Sequence, residues 1–363
     1  MILHRYFARR FLIVFSGLFI LFLFFVALVD LIEQVRIFEG IAFRQVVFMT
    51  LLNTPQSLYQ MLPLVVILST IGLYLGLARS SELVVARAAG RSGLLALVAP
   101  VLCAGMLGGI SVTMFNPIVA ATNERYDQQR EFYESDGTAT LSIGKNGLWL
   151  RQGSELGQTV IHANRSAPDA SILYDVTFVA LGPAGAPQRR IIAEQAQLTD
   201  DGWLLQNAKA WPLIAELNSE VNSKEHARLI VPSTLTQERI VDSFGKVSSI
   251  PIWELPEFIQ QLEAAGFSAR RHAVWLHMEL ARPLFLMAMV LVGAAFTMRP
   301  VRSGKTGLAV LSAVLLGFTL YYLRNFAQVM GEVGQIPVLL AAWAPPVSSV
   351  LLAMGVLLHM EDG

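Results

Sequence analysis

The chain has 363 residues, of which 54% are hydrophobic, with 27 basic and 27 acidic residues. This composition is too apolar for an ordinary globular enzyme, and the formal net charge of zero argues against a nucleic-acid partner. The only cysteine, Cys103, excludes an intramolecular disulfide, and we expect it to pack within an apolar segment.

Three stretches without Asp, Glu, Lys or Arg open the chain: between Arg10 and Asp30, from Gln45 to Ala78, and from Ser92 to Asn123. A bilayer core about 30 Å thick needs about 20 apolar helical residues, so each stretch predicts a membrane span. The first follows a basic N-terminus and has no small-residue cleavage site, which favours an uncleaved span over a signal peptide. We expect it to continue as an amphipathic extension over residues 30–38, and the third span to end near Asn116.

The link between the second and third spans predicts a short helix over residues 80–92. Ser80 or Ser81 can cap it, Glu82 lies in its first turn where the helix dipole favours an anion, and Gly90 can end it. Its mixture of apolar and charged residues leaves two interpretations open: a helix that docks on a soluble partner, or an interfacial helix that rests on lipid.

The middle of the chain predicts a β domain in water, because charged residues concentrate between Glu124 and Arg282. Short alternating segments with turn signals about every 8–12 residues are typical of a β-sandwich or jelly roll. A helical pattern follows between Ile252 and Gly266, with the glycine as its C-terminal cap. The predicted strands cover residues 141–144, 147–151, 158–163, 171–181, 190–198 and 203–211.

Three further uncharged stretches close the chain: Pro283 to Met298, Thr306 to Leu323, and Val333 to Met360. The first is short, so its span is predicted to start near His272 and to include Glu279 and Arg282, which can pair at i, i+3. The predicted fold is therefore six transmembrane helices, three plus three, around an inserted jellyroll-like all-β domain. Its predicted parts are residues 1–123 with the 80–92 link, 124–271 with a connecting helix, and 272–363.

Lysines and arginines of the short loops predict the orientation in the membrane. Basic residues in short loops favour the cytoplasmic side. We therefore expect both termini in the cytoplasm and the central domain on the opposite side, which is the periplasm in a diderm bacterium. The predicted cytoplasmic loops contain Arg5, Arg9, Arg10, Arg79, Arg87, Arg91, Arg299, Arg302 and Lys305, whereas the opposite short loops contain only Arg36, Arg44 and Arg324.

Several motifs together resemble the lipopolysaccharide-export permease family LptF/LptG. They are the segment Arg79-Ser-Ser-Glu-Leu-Val-Val-Ala-Arg-Ala-Ala-Gly90, the three-plus-three layout around a β domain, and the tail from Ile336-Pro337 to Ala344-Pro345. Val29-Asp30 and Gly147-Leu-Trp149 are closer to the LptG branch. The resemblance covers essentially the whole chain.

The resemblance implies a transport subunit without enzymatic activity or cofactor of its own, in a bacterial inner membrane. It implies a second, LptF-type permease, a cytoplasmic LptB-like ATPase dimer, LptC- and LptA-like bridge proteins, and lipopolysaccharide as cargo. Glu82 matches the acidic residue through which the coupling helix docks on the ATPase, and Leu83, Arg87 and Arg91 are its expected neighbours. Asp30, Glu279 and Arg282 are candidates for lining a cavity or gate.

One feature departs from the family pattern. Relatives place lysines in and just after the first span, facing lipid phosphates, whereas the matching stretch around Ala27 and Glu33-Gln34 lacks them. Either the cations have moved along the chain, the lipid has fewer phosphates, or the partner subunit supplies the cations. The chain's own candidates for the lipid head group are Arg36, Arg44, Arg125, Arg130 and Arg324.

Two other functions are open at this stage: the sister LptF-type subunit, and a sensor or scaffold that binds a periplasmic ligand. Ser303-Gly-Lys-Thr306 resembles the end of a phosphate-binding loop, but no strand precedes it and Arg299 occupies the position of the required first glycine. We therefore expect ATP hydrolysis in a separate partner.

Overall fold

In the computed structural model, long helices form both ends of the chain and a β-sheet is inserted between them. The first group of helices is α1 (Ile2–Ile37), α2 (Phe43–Arg79), α3 (Gly93–Ile110), a π-helical turn (Ser111–Phe115) and α4 (Asn116–Glu134). After the sheet come α5 (Leu255–Ala264), α6 (Arg270–Leu280), α7 (Arg282–Thr297), α8 (Thr306–Val333) and α9 (Val338–Asp362). The structure describes residues 2–38, 40–82, 85, 93–134, 140–144, 147–154, 157–167, 171–182, 186–199, 201–213, 218–233, 246–298 and 306–362.

The described helices include five that are individually long and apolar enough to cross a membrane, and the pair α6–α7 makes a sixth candidate. This pair is bent by 50° between Leu280 and Arg282. Proline at position 283 suits the first turn of the helix that restarts there, because that turn has no use for the missing amide hydrogen. The predicted membrane-helical fold with an inserted β domain is confirmed.

The chain divides into two compact units. The first comprises residues 1–127, 248–252 and 270–363, and the second comprises residues 128–247 and 253–269. The boundaries predicted from the sequence lay at 123/124 and 271/272, and they did not foresee that the short segment 248–252 belongs with the helices. That segment is fixed to the helical unit by Asn116, whose side-chain oxygen accepts the Ile252 amide hydrogen at 2.9 Å.

Two helices of the helical unit continue beyond the stretches from which their spans were predicted. At the predicted end of the third span near Asn116, the π-helical turn at 111–115 is followed directly by α4, which continues to Glu134. The wider π turn accommodates Pro117, which has no amide hydrogen to donate inside a regular helix. Helix α8 likewise extends to Val333, beyond the uncharged stretch that ends at Leu323.

The described strands of the inserted domain, β1 to β7, form one antiparallel sheet in which they are adjacent in chain order. Six of them overlap the predicted strands, and the last was not predicted. One face forms the core: Ile161 is opposite Phe178 and Phe178 opposite Ile191, and all three are buried. The strands are β1 (Thr140–Gly144), β2 (Gly147–Ser154), β3 (Gly157–Ser166), β4 (Ile172–Leu181), β5 (Pro187–Thr199), β6 (Gly202–Pro212) and β7 (Lys224–Val231).

Helix α5 packs on this core and ends as the sequence predicts. Gly266 has φ +89°, a left-handed conformation that suits glycine. The Phe267 amide bonds the Leu262 carbonyl at 2.9 Å and the Gly266 amide bonds the Glu263 carbonyl at 3.0 Å, which together form a Schellman motif. A Cβ at Gly266 would lie 2.2 Å from the Ser166 carbonyl oxygen, so the turn and β3 leave no room for a side chain.

Candidate functional site

The helical unit encloses an apolar cavity of about 530 Å³ between α1, α2, α7 and α8. Its walls are mostly aromatic and aliphatic, and Asp30 is the only formally charged residue among those that line it. The two spans least buried within the chain are α1 and α8, with 11% and 17% of their apolar windows covered. The cavity is therefore bordered by the helices that have most surface free for lipid or another subunit. Its lining comprises Phe22, Phe25, Val26, Val29, Asp30, Ser57, Gln60, Met61, Pro63, Leu64, Ile67, Met289, Gly317, Phe318 and Tyr321.

Asp30 is buried at the wall of this cavity, with only 5% of its surface exposed. Ser57 donates a hydrogen bond to its Oδ1 at 3.3 Å, while Oδ2 has no partner among the described residues. The helix holds it there because Gln34, one turn later, is also buried and accepts a hydrogen bond from Tyr126 at 3.0 Å. The predicted amphipathic extension thus buries Asp30, Gln34 and Phe38, and it exposes the apolar Ile32 and Val35.

Glu279 and Arg282 form the predicted i, i+3 pair, and both are almost completely buried. Arg282 binds the carboxylate in a bidentate manner, with Nε 3.0 Å from Oε2 and Nη2 2.5 Å from Oε1. The hydroxyl of Tyr59 on α2 also donates to Glu279 Oε2. The pair thus ties the start of α7 to α6 and to α2, across the bend in the broken span.

Arg282 also bonds a backbone carbonyl of α2 that a proline leaves without a helical partner. Pro63 has no amide hydrogen, so the carbonyl of Tyr59, four residues earlier, has no helical partner. Arg282 Nη1 donates to that carbonyl at 3.2 Å, and its guanidinium lies 3.8 Å from the centre of the Tyr59 ring. Backbone groups must be bonded inside a bilayer, and here an arginine bonds the carbonyl that the proline leaves open. Sequence reasoning missed Tyr59, because an aromatic residue in an apolar span carries no distinguishing signal.

Arg324 lies inside the helical unit, whereas the sequence predicts it in a short outer loop. It is 7% exposed, on the buried stripe of α8 that includes Gly317, Leu320 and Gly331. Its guanidinium lies 5.2 Å from the centre of the Phe285 ring. The longer helix explains the difference, since α8 continues for more than two turns beyond the predicted end.

The other head-group candidates, Arg36, Arg44, Arg125 and Arg130, are exposed residues of α1, α2 and α4. The first three belong to the helical unit, and Arg130 belongs to the second unit. Their role in lipid binding stays a prediction.

At the other end of α2, Glu82 is held by three side chains. Tyr6 donates to its Oε2 at 2.6 Å, while Arg10 and Ser80 donate to its Oε1 at 3.0 Å and 2.8 Å. Arg10 also donates to the Tyr6 hydroxyl. The hydrogen bond from Tyr6, followed by those from Ser80 and Arg10 and the charge of Arg10, lowers the pKa of the Glu82 carboxyl, which is therefore ionised at neutral pH.

The sequence did not indicate this contact between the start of α1 and the link. Basic residues near the N-terminus suggested only the orientation of the chain. Of the other predicted coupling residues, Leu83, Arg87 and Arg91 lie outside the described residues, as do Ser303, Gly304 and Lys305 of the phosphate-loop-like segment. Val85, which is described, is 67% exposed.

Comparison with known proteins places these features in a family. The family described as lipopolysaccharide export system permease LptF/LptG matches residues 5–359. The chain is 22% identical over 330 residues to the lipopolysaccharide export system permease protein LptG of Haemophilus influenzae, covering 88% of this chain and 87% of that protein. It is 24% identical over 318 residues to LptG of Escherichia coli K12, covering 85% and 84%. These relatives favour the LptG branch. Because the matched range includes both helix groups and the inserted sheet, this chain belongs to the lipopolysaccharide export permease family LptF/LptG.

Proposed function

We propose that this chain is the LptG-type transmembrane subunit of an ATP-driven complex that extracts lipopolysaccharide from the inner membrane and passes it to a periplasmic bridge. The observation that carries the proposal is the family match over residues 5–359 of a chain whose helices enclose a 530 Å³ apolar cavity. The family also gives the reason to prefer transport over a sensor or scaffold, and the LptG relatives give the reason to prefer this branch over LptF.

The cavity suits the acyl chains of such a lipid. Withdrawing a lipid from the bilayer costs about 0.8 kcal/mol per CH₂ group, so a lipid with several acyl chains costs roughly several tens of kcal/mol. Aromatic and aliphatic walls such as Phe22, Phe318 and Met289 offset part of this cost by keeping the chains away from water. Spans α1 and α8, which are the least covered within the chain, then border the route by which lipid enters, next to a second permease subunit.

The remaining work must come from a partner that hydrolyses ATP. We infer that an LptB-like ATPase dimer grips the link that begins at Glu82 and that its closure compresses the cavity. Glu82 is ionised and its side chain is about one-third exposed, so a basic residue of the ATPase can reach it. In the predicted orientation, the termini and this link lie in the cytoplasm and the sheet lies in the periplasm. The ATPase and the bridge proteins are then expected on opposite sides of the inner membrane.

The test of this coupling is the substitution Glu82→Lys. It reverses the charge at the proposed docking point and should abolish co-purification of the ATPase, while the protein still inserts into the membrane. Two variants serve as controls. Glu225→Lys makes the same change at an exposed position of β7, and Tyr6→Phe removes one of the three hydrogen bonds to Glu82 but leaves the carboxylate; both should retain the ATPase. Unchanged ATPase recovery with Glu82→Lys would show that Glu82 is not the docking residue.

A further inference from the structure

The start of α1 is bound to the link after α2 through the carboxylate of Glu82. Tyr6 and Arg10, one turn apart on α1, both donate to this carboxylate, at 2.6 Å and 3.0 Å. Arg10 also donates to the Tyr6 hydroxyl, so the three side chains form a closed set of hydrogen bonds. Bonds to an ionised acceptor are about twice as strong as those between neutral groups, which makes this contact a firm one for a partly exposed position.

Helix α1 lies close to α2 along the path that leads to this contact. A Cβ at Gly72 would lie 3.2 Å from Val14 Cγ1, and a Cβ at Gly76 would lie 4.0 Å from Arg10 Nη2. These two glycines are one turn apart on α2, and small residues let membrane helices approach closely. The row Val14, Arg10 and Tyr6 of α1 therefore follows α2 to its end and meets the link there.

The turn from α2 into the link has a strained backbone. Ser81 has φ +57°, a left-handed conformation that is unfavourable for a residue with a side chain. Such a conformation persists where surrounding contacts hold it. The bonds from Tyr6, Arg10 and Ser80 to the next residue, Glu82, are contacts of this kind. The direction in which the link leaves α2 is thus fixed against α1.

The two helices are joined to the link in different ways. Helix α2 continues into it through the peptide chain, whereas α1 is joined to it by the side chains of Tyr6 and Arg10. Both helices line the apolar cavity farther along, α1 from Phe22 and α2 over residues 57–67. At about 1.5 Å per residue, Phe22 is about 24 Å from Tyr6 along one unbroken helix. A moving link therefore displaces α2 directly, and it displaces α1 only while the contact at Glu82 holds.

We propose that Tyr6 and Arg10 are positioning residues that transmit movement of the ATPase-bound link to α1, so that two walls of the cavity move together. The inference rests on the proposed function, and it separates two roles of Glu82: docking of the ATPase and connection to α1. Removing the donors on α1 abolishes the second role and leaves the carboxylate for the first. The complex then still binds the ATPase and hydrolyses ATP, but it moves less lipid for each ATP consumed.

The experiment compares the lipopolysaccharide transferred per ATP hydrolysed in proteoliposomes that contain the complete complex. Because two charge-assisted hydrogen bonds are lost, we expect the double variant Tyr6→Phe/Arg10→Gln to lower this ratio at least about tenfold, with ATPase recovery unchanged. Arg10→Lys retains a cationic donor and should keep more of the ratio than Arg10→Gln. Arg9→Gln removes the same charge at the adjacent, exposed position and should leave the ratio at its wild-type value. Thermal midpoints of all variants control for folding.

A second measurement follows α1 itself. Spin labels on cysteines at Ile20 of α1 and Leu351 of α9, both exposed, report the distance between the two helices once Cys103 is replaced by alanine. A non-hydrolysable ATP analogue should change this distance in the wild-type complex and not in the double variant. A change that persists in the double variant, or a wild-type ratio of lipid to ATP, would overturn the inference.

The remaining outcomes separate this inference from the proposed function. Loss of the ATPase in the double variant, with Glu82 intact, would assign Tyr6 and Arg10 to the docking surface and so contradict their role in transmission. A wild-type complex that transfers no lipid with ATP would contradict the proposed function itself. That result is distinct from a wild type that transfers lipid and a double variant that equals it, which would contradict only the role of Tyr6 and Arg10.

Discussion

Glu279 is a buried carboxylate that joins the two parts of the broken span to α2. Its carboxylate accepts hydrogen bonds from Arg282 and from Tyr59, and no part of its surface is exposed. Replacing a buried ion pair by apolar residues can be neutral, but removing one partner leaves a buried charge without compensation. The stability of single variants alone therefore does not measure the strength of the pair. A comparison of single and double variants does.

We predict that Glu279→Gln destabilises the protein by about 3–5 kcal/mol, because the buried guanidinium of Arg282 then lacks its carboxylate partner. The double variant Glu279→Gln/Arg282→Gln should lose less than the sum of the two single variants. Thermal unfolding in detergent, read as a double-mutant cycle, measures this difference. Glu33→Gln, an exposed residue of α1, is the control. Additive losses would mean that the two side chains are not energetically coupled.

At the level of elements, the close approach of α3 and α7 fixes the walls of the helical unit. A Cβ at Gly108 would lie 2.4 Å from the Pro283 Cα, so the two backbones meet at the start of α7 with no side chain between them. Small residues allow such approach between membrane helices. The adjacent Gly109 has no atom within 4 Å of the same hypothetical Cβ.

Substituting alanine at each of these two adjacent glycines is predicted to have different effects on stability. Gly108→Ala should lower stability by about 1–3 kcal/mol, because the methyl group must displace backbone. Gly109→Ala should be neutral or slightly stabilising, because alanine favours helix over glycine. Thermal midpoints and membrane yield of the two variants, compared side by side, test the helix contact. Equal behaviour of the two variants would refute the close packing of α3 on Pro283.

The elements also show how far sequence reasoning reaches. Uncharged stretches and alternating patterns predicted the membrane-helical fold, six of the strands and the glycine that ends α5, because these signals are local. The π-helical turn, the bend at Ala281 and the burial of Arg324 could not be predicted in this way. The bend lies where Tyr59 of α2 bonds Glu279 and where Gly108 of α3 meets Pro283, and Arg324 packs on Phe285 of another helix.

In the candidate site, too, residues with a local sequence signal were predicted and contacts between distant residues were not. Glu82 was identified from its motif, whereas Tyr6 and Arg10 lie more than seventy residues away and share no pattern with it. The cavity residues are ordinary apolar residues whose grouping is visible only after the helices pack. Sequence identified the charged groups of the molecule, and packing determined which of them meet.

For the molecule as a whole, the orientation in the membrane is a prediction that labelling can test. Replacing the single cysteine by alanine allows new cysteines at Val221 in the inserted domain and at His359 near the C-terminus, both exposed. In cells with a permeabilised outer membrane, an impermeant maleimide should label position 221 and not position 359. After the inner membrane is also opened, both should react. The opposite pattern in intact inner membranes would invert the proposed orientation.

We propose that this chain moves a lipid out of the membrane with energy supplied by another protein. The most direct test is release of lipopolysaccharide from proteoliposomes that contain this chain, its partner permease and the ATPase, with a periplasmic bridge protein as acceptor. We predict transfer that requires ATP, fails with a non-hydrolysable analogue, and is lost with Glu82→Lys. Transfer that proceeds equally without ATP, or without this chain, would contradict the proposal.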